Sequence, residues 1–312
     1  MPFIELASSA LAPDASPVRV SYRDAGAGPP IVILHGGWGY EIYPFERQIA
    51  ALGASHRLVA PDRTGYGRSG RIERQATDFH HRAAAETLAV IDALGLDRPV
   101  VWGHSDGAVI ALLMGLADPD RLRGLIVEAA HFLRRKPASR EFFETMMKAP
   151  DGLGERVTAV LAREHGDGWR DLIRSNGDAW LRIANDASAP TADLYGGRLG
   201  DLRVPTLVIH GARDPRTEPG ELESLREAIG RTHRSAPTGA GVGADLRVGP
   251  AVFEVLPEGG HSPHSERATT DEVTRVAQRF LRDLSTFAPA PLARASVDKP
   301  DSRDLPDRSS HQ

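Results

Sequence analysis

The stretch Pro99-Val100-Val101-Trp102-Gly103-His104-Ser105-Asp106-Gly107-Ala108-Val109-Ile110 decides the reading of this chain. An apolar run leads into Gly-His-Ser-Asp-Gly. A second apolar run, Ala108 through Ala117, leaves it and is long enough for a buried helix. Strand, sharp turn and helix with G-x-S-x-G at the turn make a nucleophile elbow. The turn forces Ser105 into a strained backbone conformation that lifts its oxygen above the sheet. Glycines two residues to either side let strand and helix approach without clashing Cβ atoms.

A serine hydroxyl needs a base to take its proton, and the base needs a third group to orient it. Outward from the elbow, the chain supplies both in order. The apolar run Thr206-Leu207-Val208-Ile209 ends in His210-Gly211-Ala212-Arg213-Asp214, and Val252-Phe253-Glu254-Val255-Leu256 ends in Pro257-Glu258-Gly259-Gly260-His261. Residues just beyond the carboxyl ends of parallel strands converge on one crevice. Ser105, Asp214 and His261 are therefore the expected catalytic residues. Asp214 also fits an Asp-Pro turn, and His264 is the alternative base. His261 is preferred because it directly follows the Gly-Gly turn. The oxyanion needs two backbone donors. Asp106 N–H, at the start of the helix after the elbow, is one. The other comes from His35-Gly36-Gly37-Trp38-Gly39, with Gly37 preferred over Trp38.

Other apolar runs, Ile31 to Leu34, Leu58 to Ala60 and Leu125 to Val127, read as strands buried on both faces. Val18 to Tyr22 alternates like a half-buried edge strand. Helical periods lie between them, at Ala84, Leu88, Ile91 and Leu94, at Leu222, Leu225 and Ile229, and at Val273, Val276, Phe280 and Leu284. Thr269 with Glu272 has capping-box spacing before the last of these. The alternation predicts an α/β fold with a mostly parallel central sheet and helices on both faces. Residues 1–131 and 201–286 form the expected core. Residues 132–200 form a helical cap insertion. A loop is expected at 231–249 and a disordered tail at 287–312.

With 312 residues and 41% apolar content the chain can bury a large core. Its 38 basic and 42 acidic residues leave a net charge of −4, which argues against nucleic acid as a partner. The absence of cysteine removes disulfides and thiolate chemistry. No signal-peptide pattern or membrane-length apolar run is seen, so a cytoplasmic location is expected, with a small-molecule substrate as partner and no membrane. Neither metal-binding nor dinucleotide-binding spacing is found, so no cofactor or metal is expected.

His35-Gly36-Gly37, Pro61-Asp62-Arg63-Thr64-Gly65-Tyr66-Gly67-Arg68-Ser69-Gly70, the elbow, His210 to Asp214 and Gly259-Gly260-His261 together resemble the α/β-hydrolase fold family over about residues 18–285. The resemblance implies a serine hydrolase that cleaves an acyl bond without a cofactor. Epoxide hydrolases and dehalogenases of this fold carry aspartate where Ser105 stands. C–C bond hydrolases and cofactor-free perhydrolases share the serine, and non-catalytic ligand-binding relatives exist. The resemblance also implies a structural Ser69 and a His104 that points into the core. Ser105-Asp106-Gly107 is similar to the valacyclovir hydrolase type, in which the aspartate binds the α-amino group of amino-acid esters. Its other reading is a helix-start carboxylate stabilised by the dipole. Trp38, Tyr40, Trp169 and Trp180 are candidate pocket residues, with packing of the cap as the alternative role. Arg134-Arg135-Lys136 reads as a solvated face.

Overall fold

The structure, a computed structural model, describes residues 1–230 and 251–286. The loop and tail expected at 231–249 and 287–312 lie outside the described residues. The strands are β1 Phe3–Leu6, β2 Val18–Gly26, β3 Pro30–Leu34, β4 Arg57–Pro61, β5 Val100–His104, β6 Gly124–Glu128, β7 Thr206–Gly211 and β8 Ala251–Leu256. They form one eight-stranded sheet in the order β1-β2-β4-β3-β5-β6-β7-β8. β1 to β2 and β2 to β4 are antiparallel, and every later pairing is parallel.

The helices are α1 Glu46–Leu52, α2 Phe79–Ala93, α3 Asp106–Ala117, α4 Arg140–Lys148, α5 Glu155–His165, α6 Trp169–Asn185, α7 Glu221–Gly230 and α8 Thr270–Thr286. Alternate residues of one strand feed opposite cores. Val32 and Leu34 of β3 join the core that holds apolar residues of α2, α3 and α7, whereas Ile31 and Ile33 join the one that holds those of α1 and α8. Both faces are thus covered, which is why these strands read as unbroken apolar runs rather than alternating ones.

Two expectations need correction. Val18 to Tyr22 is not an edge strand, because β1 takes the edge by pairing with β2. Phe3-Ile4-Glu5-Leu6 is too short to show periodicity, and pairing makes it a strand. The capping box also fails: the Thr269 hydroxyl donates to the Pro263 carbonyl at 2.8 Å instead of accepting from the helix.

Helices α4, α5 and α6 all fall between β6 and β7. α4 and α6 carry Phe142, Phe143, Met146, Asn176 and Trp180 to the same cavity as Ser105. The insertion therefore roofs the carboxyl ends of the parallel strands. Its root corrects the solvated reading of Arg134 to Lys136: Arg135 is exposed, but Lys136 is buried and paired with the carboxylate of Glu221.

Candidate active site

The elbow is built from close contact. A Cβ on Gly103 would lie 2.0 Å from the Gly107 carbonyl oxygen, and one on Gly107 would lie 2.2 Å from that of Leu34. Only hydrogen fits at either position. Between them Ser105 sits at φ 55° and ψ −119°, a strained conformation for a residue with a side chain. Its N–H is anchored to the Glu128 carbonyl at 2.9 Å.

Ser105, His261 and Asp214 meet as expected. His261 Nε2 lies 3.1 Å from Ser105 Oγ, and His261 Nδ1 lies 2.9 and 3.0 Å from the two oxygens of Asp214. The carboxylate fixes the proton on Nδ1, which leaves the Nε2 lone pair facing the serine. Burial would push the Asp214 carboxyl up, but the charge and hydrogen bond of His261 outweigh it and hold the carboxyl well below the usual range. Asp214 also accepts the Arg216 N–H at 2.8 Å.

His264 is elsewhere engaged. Its Nδ1 meets Glu128 at 2.6 Å and its Nε2 the Tyr43 carbonyl at 2.9 Å, so both nitrogens have partners other than Ser105. His104 donates from Nε2 to the His261 carbonyl at 2.9 Å. Burial, with the charges of His264 and His261, pushes His104 down to about 3, so it stays neutral. Together His104, Glu128 and His264 support the loop that carries His261. Their ligand atoms lie within 4.8 Å of one another, and hydrogen bonds already employ His104 Nε2, Glu128 Oε1 and both His264 nitrogens. Ser69 is structural: it donates to the Asp62 carbonyl and accepts the Ser21 N–H.

A cavity of about 200 Å³ opens onto Ser105 and is lined by Gly37, Trp38, Asp106, His131, Trp180 and Arg216 among others. Gly37 and Asp106 thus border the space where an oxyanion would form. Asp106 is the first residue of α3, so the helix offers its N–H no internal partner. Arg63 braces the facing loop by donating to the carbonyls of His35 and Gly36. Trp169 and Tyr40 do not line this cavity. Both are buried in packing, Tyr40 beside Phe45, because α6 and the loop after β3 turn those faces inward.

The Asp106 carboxylate borders the cavity but has donors of its own. His80 Nε2 and Trp180 Nε1 reach it at 3.1 Å, and Asn176 Nδ2 at 3.3 Å. Burial alone would raise it; His80, Arg63 and Asn176 outweigh that and bring it to about 2. Its lone pairs are thus satisfied without a ligand cation, while it keeps its negative charge at the cavity wall.

One residue beside Ser105 escaped the sequence reading. His131 Nε2 lies 3.4 Å from Ser105 Oγ, and the ring stacks on His261 at 5.7 Å. Burial and the Lys136 charge hold its pKa well below the ordinary value, so it is neutral. Its position just beyond β6 was the available signal, the same one that singled out Asp214 and His261. His80 and Asn176 lie on helices and gave no such sign.

The alpha/beta hydrolase family model matches residues 31–276. RutD of Azorhizobium caulinodans, named as a proposed carbamate hydrolase, is 30% identical over 75% of this chain and 92% of its own. Epoxide hydrolase 2 of Siraitia grosvenorii is 32% identical over 39% of this chain, a match that spans only 38% of that relative. Among solved structures, a thermophilic esterase from Thermogutta terrifontis superposes with a TM-score of 0.64 at 21% identity, covering 92% of this chain and 100% of the esterase. No helix among the described residues is long and apolar enough to cross a membrane.

Proposed function

The chain belongs to the alpha/beta hydrolase family and is a hydrolase of that fold, and from this we propose that it cleaves an ester-type acyl bond of a small molecule through Ser105, His261 and Asp214. The observation that carries the proposal is the continuous relay from Ser105 Oγ through His261 to Asp214. In the proposed reaction, Ser105 Oγ attacks the acyl carbon as His261 Nε2 takes its proton. Asp214 stabilises the imidazolium that forms. The tetrahedral oxyanion accepts from the N–H groups of Asp106 and Gly37. His261 then returns the proton to the leaving oxygen, and the alcohol departs. Water, deprotonated by His261, cleaves the acyl-enzyme and restores the serine.

The serine matters for choosing among relatives. Epoxide opening on this fold uses an aspartate nucleophile, whose ester is cleaved by water. Ser105 would form an ether that water cannot cleave, so the epoxide hydrolase likeness supports the fold and not that reaction. Carbamate cleavage, after the RutD likeness, would run through the same acyl transfer.

The test is labelling by a fluorophosphonate, followed by a panel of p-nitrophenyl esters and carbamates. The intact protein should label and hydrolyse at least one substrate, and Ser105→Ala should do neither while keeping its circular dichroism. Loss of a nucleophile of this type costs on the order of 10⁶ in turnover. Near-normal activity in Ser105→Ala would remove Ser105 from the mechanism. Absence of labelling in the intact protein would favour a non-catalytic binding role.

A further inference from the structure

We propose that Arg216 forms a carboxylate-binding subsite at the wall of the Ser105 cavity, and that the substrate is a small ester bearing a carboxylate. The inference rests on the acyl-transfer reading and names its substrate class.

Arg216 lines the cavity with Trp38, Tyr43 and Phe142. Its guanidinium carbon lies 3.2 Å from the centre of the Phe142 ring. Its backbone is fixed by the bond from its N–H to Asp214, two residues away. The side chain is half-buried, and among the described residues its guanidinium forms no hydrogen bond or ion pair. That contrasts with the acids around it. Asp214 is paired with His261, and Asp106 takes its donors from His80, Trp180 and Asn176. Glu266, also on the cavity wall, accepts the N–H groups of Gly260 and Ser262. The histidines at the cavity, His104 and His131, are held neutral by burial.

Arg216 is therefore the cation left with donors unused in a cavity whose acids are all engaged. A planar guanidinium on a hydrophobic wall offers paired N–H groups to a carboxylate, and partial desolvation strengthens that contact. Stacking on Phe142 holds the guanidinium plane in place. Asp106 is held by Trp180 and Asn176 of α6, whereas Arg216 is held against Phe142 of α4. The Asp214–Pro215–Arg216 connection puts the subsite on the side of the cavity that carries His261, which protonates the leaving group. The carboxylate is accordingly assigned to the alcohol half of the ester.

The kinetic test compares 4-carboxyphenyl acetate with phenyl acetate in the intact protein, Arg216→Met and Arg216→Lys. Methionine keeps the length and the apolar contact with Phe142 but removes the charge. The intact protein should prefer the anionic ester, chiefly in KM. Arg216→Met should lower the ratio of the two kcat/KM values by about tenfold or more, and lysine should restore part of it. A residue that merely latched the cap would lower both rates and leave their ratio unchanged, which would overturn the proposal. So would preference for the neutral ester in the intact protein. A second measurement does not depend on turnover. Calorimetry of 4-hydroxybenzoate should show binding to Ser105→Ala and at least about tenfold weaker binding to Ser105→Ala/Arg216→Met. Equal binding, or none to either, rejects the subsite. If 4-hydroxybenzoate binds through Arg216 while no ester is cleaved, the subsite stands and the acyl-transfer reading fails.

Discussion

His261 and His264 are three residues apart and the structure gives them opposite work. His261 keeps one lone pair directed at Ser105, whereas His264 spends both nitrogens on Glu128 and Tyr43. His261→Ala should match Ser105→Ala in lost turnover, because such groups act as a unit, and should unfold at nearly the same urea concentration as the parent. His264→Ala should instead lose stability by about 3–5 kcal/mol, because it strands the Glu128 carboxylate in the core. Urea unfolding of the two variants beside ester turnover separates these outcomes. A stable, inactive His264→Ala with an active His261→Ala would reverse the assignment. His131 adds a third histidine beside Ser105, its neutral ring stacked on that of His261.

At the scale of elements, the helical insertion is tied to the sheet at both ends of the cavity. At its root, Glu221 of α7 accepts the N–H groups of Phe132 and Leu133 at 2.7 and 2.8 Å while pairing with the buried Lys136. Lys136→Met should cost about 3–5 kcal/mol, since it leaves Glu221 charged and uncompensated in the interior. A loss under about 1 kcal/mol by urea denaturation would show that the pair only offsets its own desolvation. At the far end, the close of α5 holds the loop after β3. Glu164 accepts the N–H groups of Tyr40 and Glu41, and His165 donates to the Trp38 carbonyl while accepting from Gly67. The loop that borders the oxyanion position is therefore braced by the insertion above it as well as by Arg63 below.

For the whole molecule, that bracing couples stability to pH. Burial raises the Glu164 carboxyl from 4.5 to about 7 against the pull of its two backbone donors. The folded state thus holds the proton more tightly than the unfolded chain. Its contribution is full below pH 4.5 and is lost as pH rises through about 7. Between pH 5 and 8 the parent should lose on the order of 1–3 kcal/mol relative to Glu164→Gln, which lacks the titration. Parallel stability profiles for the two proteins would show that Glu164 does not control this window. Much of the architecture was legible in the sequence. Strands buried on both faces appear as apolar runs, and the rule that parallel strands end on one crevice located Ser105, Asp214 and His261 from order alone. The elbow glycines were legible because their role is local, set by contacts between residues a few positions apart. What only the tertiary structure decided is everything that depends on which distant side chains meet. β1 became an edge strand through pairing, and Lys136 became buried through Glu221. Asp106, read either as a receptor for a cation or as a carboxylate at a helix start, accepts from His80, Asn176 and Trp180, and Arg216 is left with its donors unused at the cavity. Charge type can be read from one residue, but whether that charge is free depends on partners that folding brings from far along the chain.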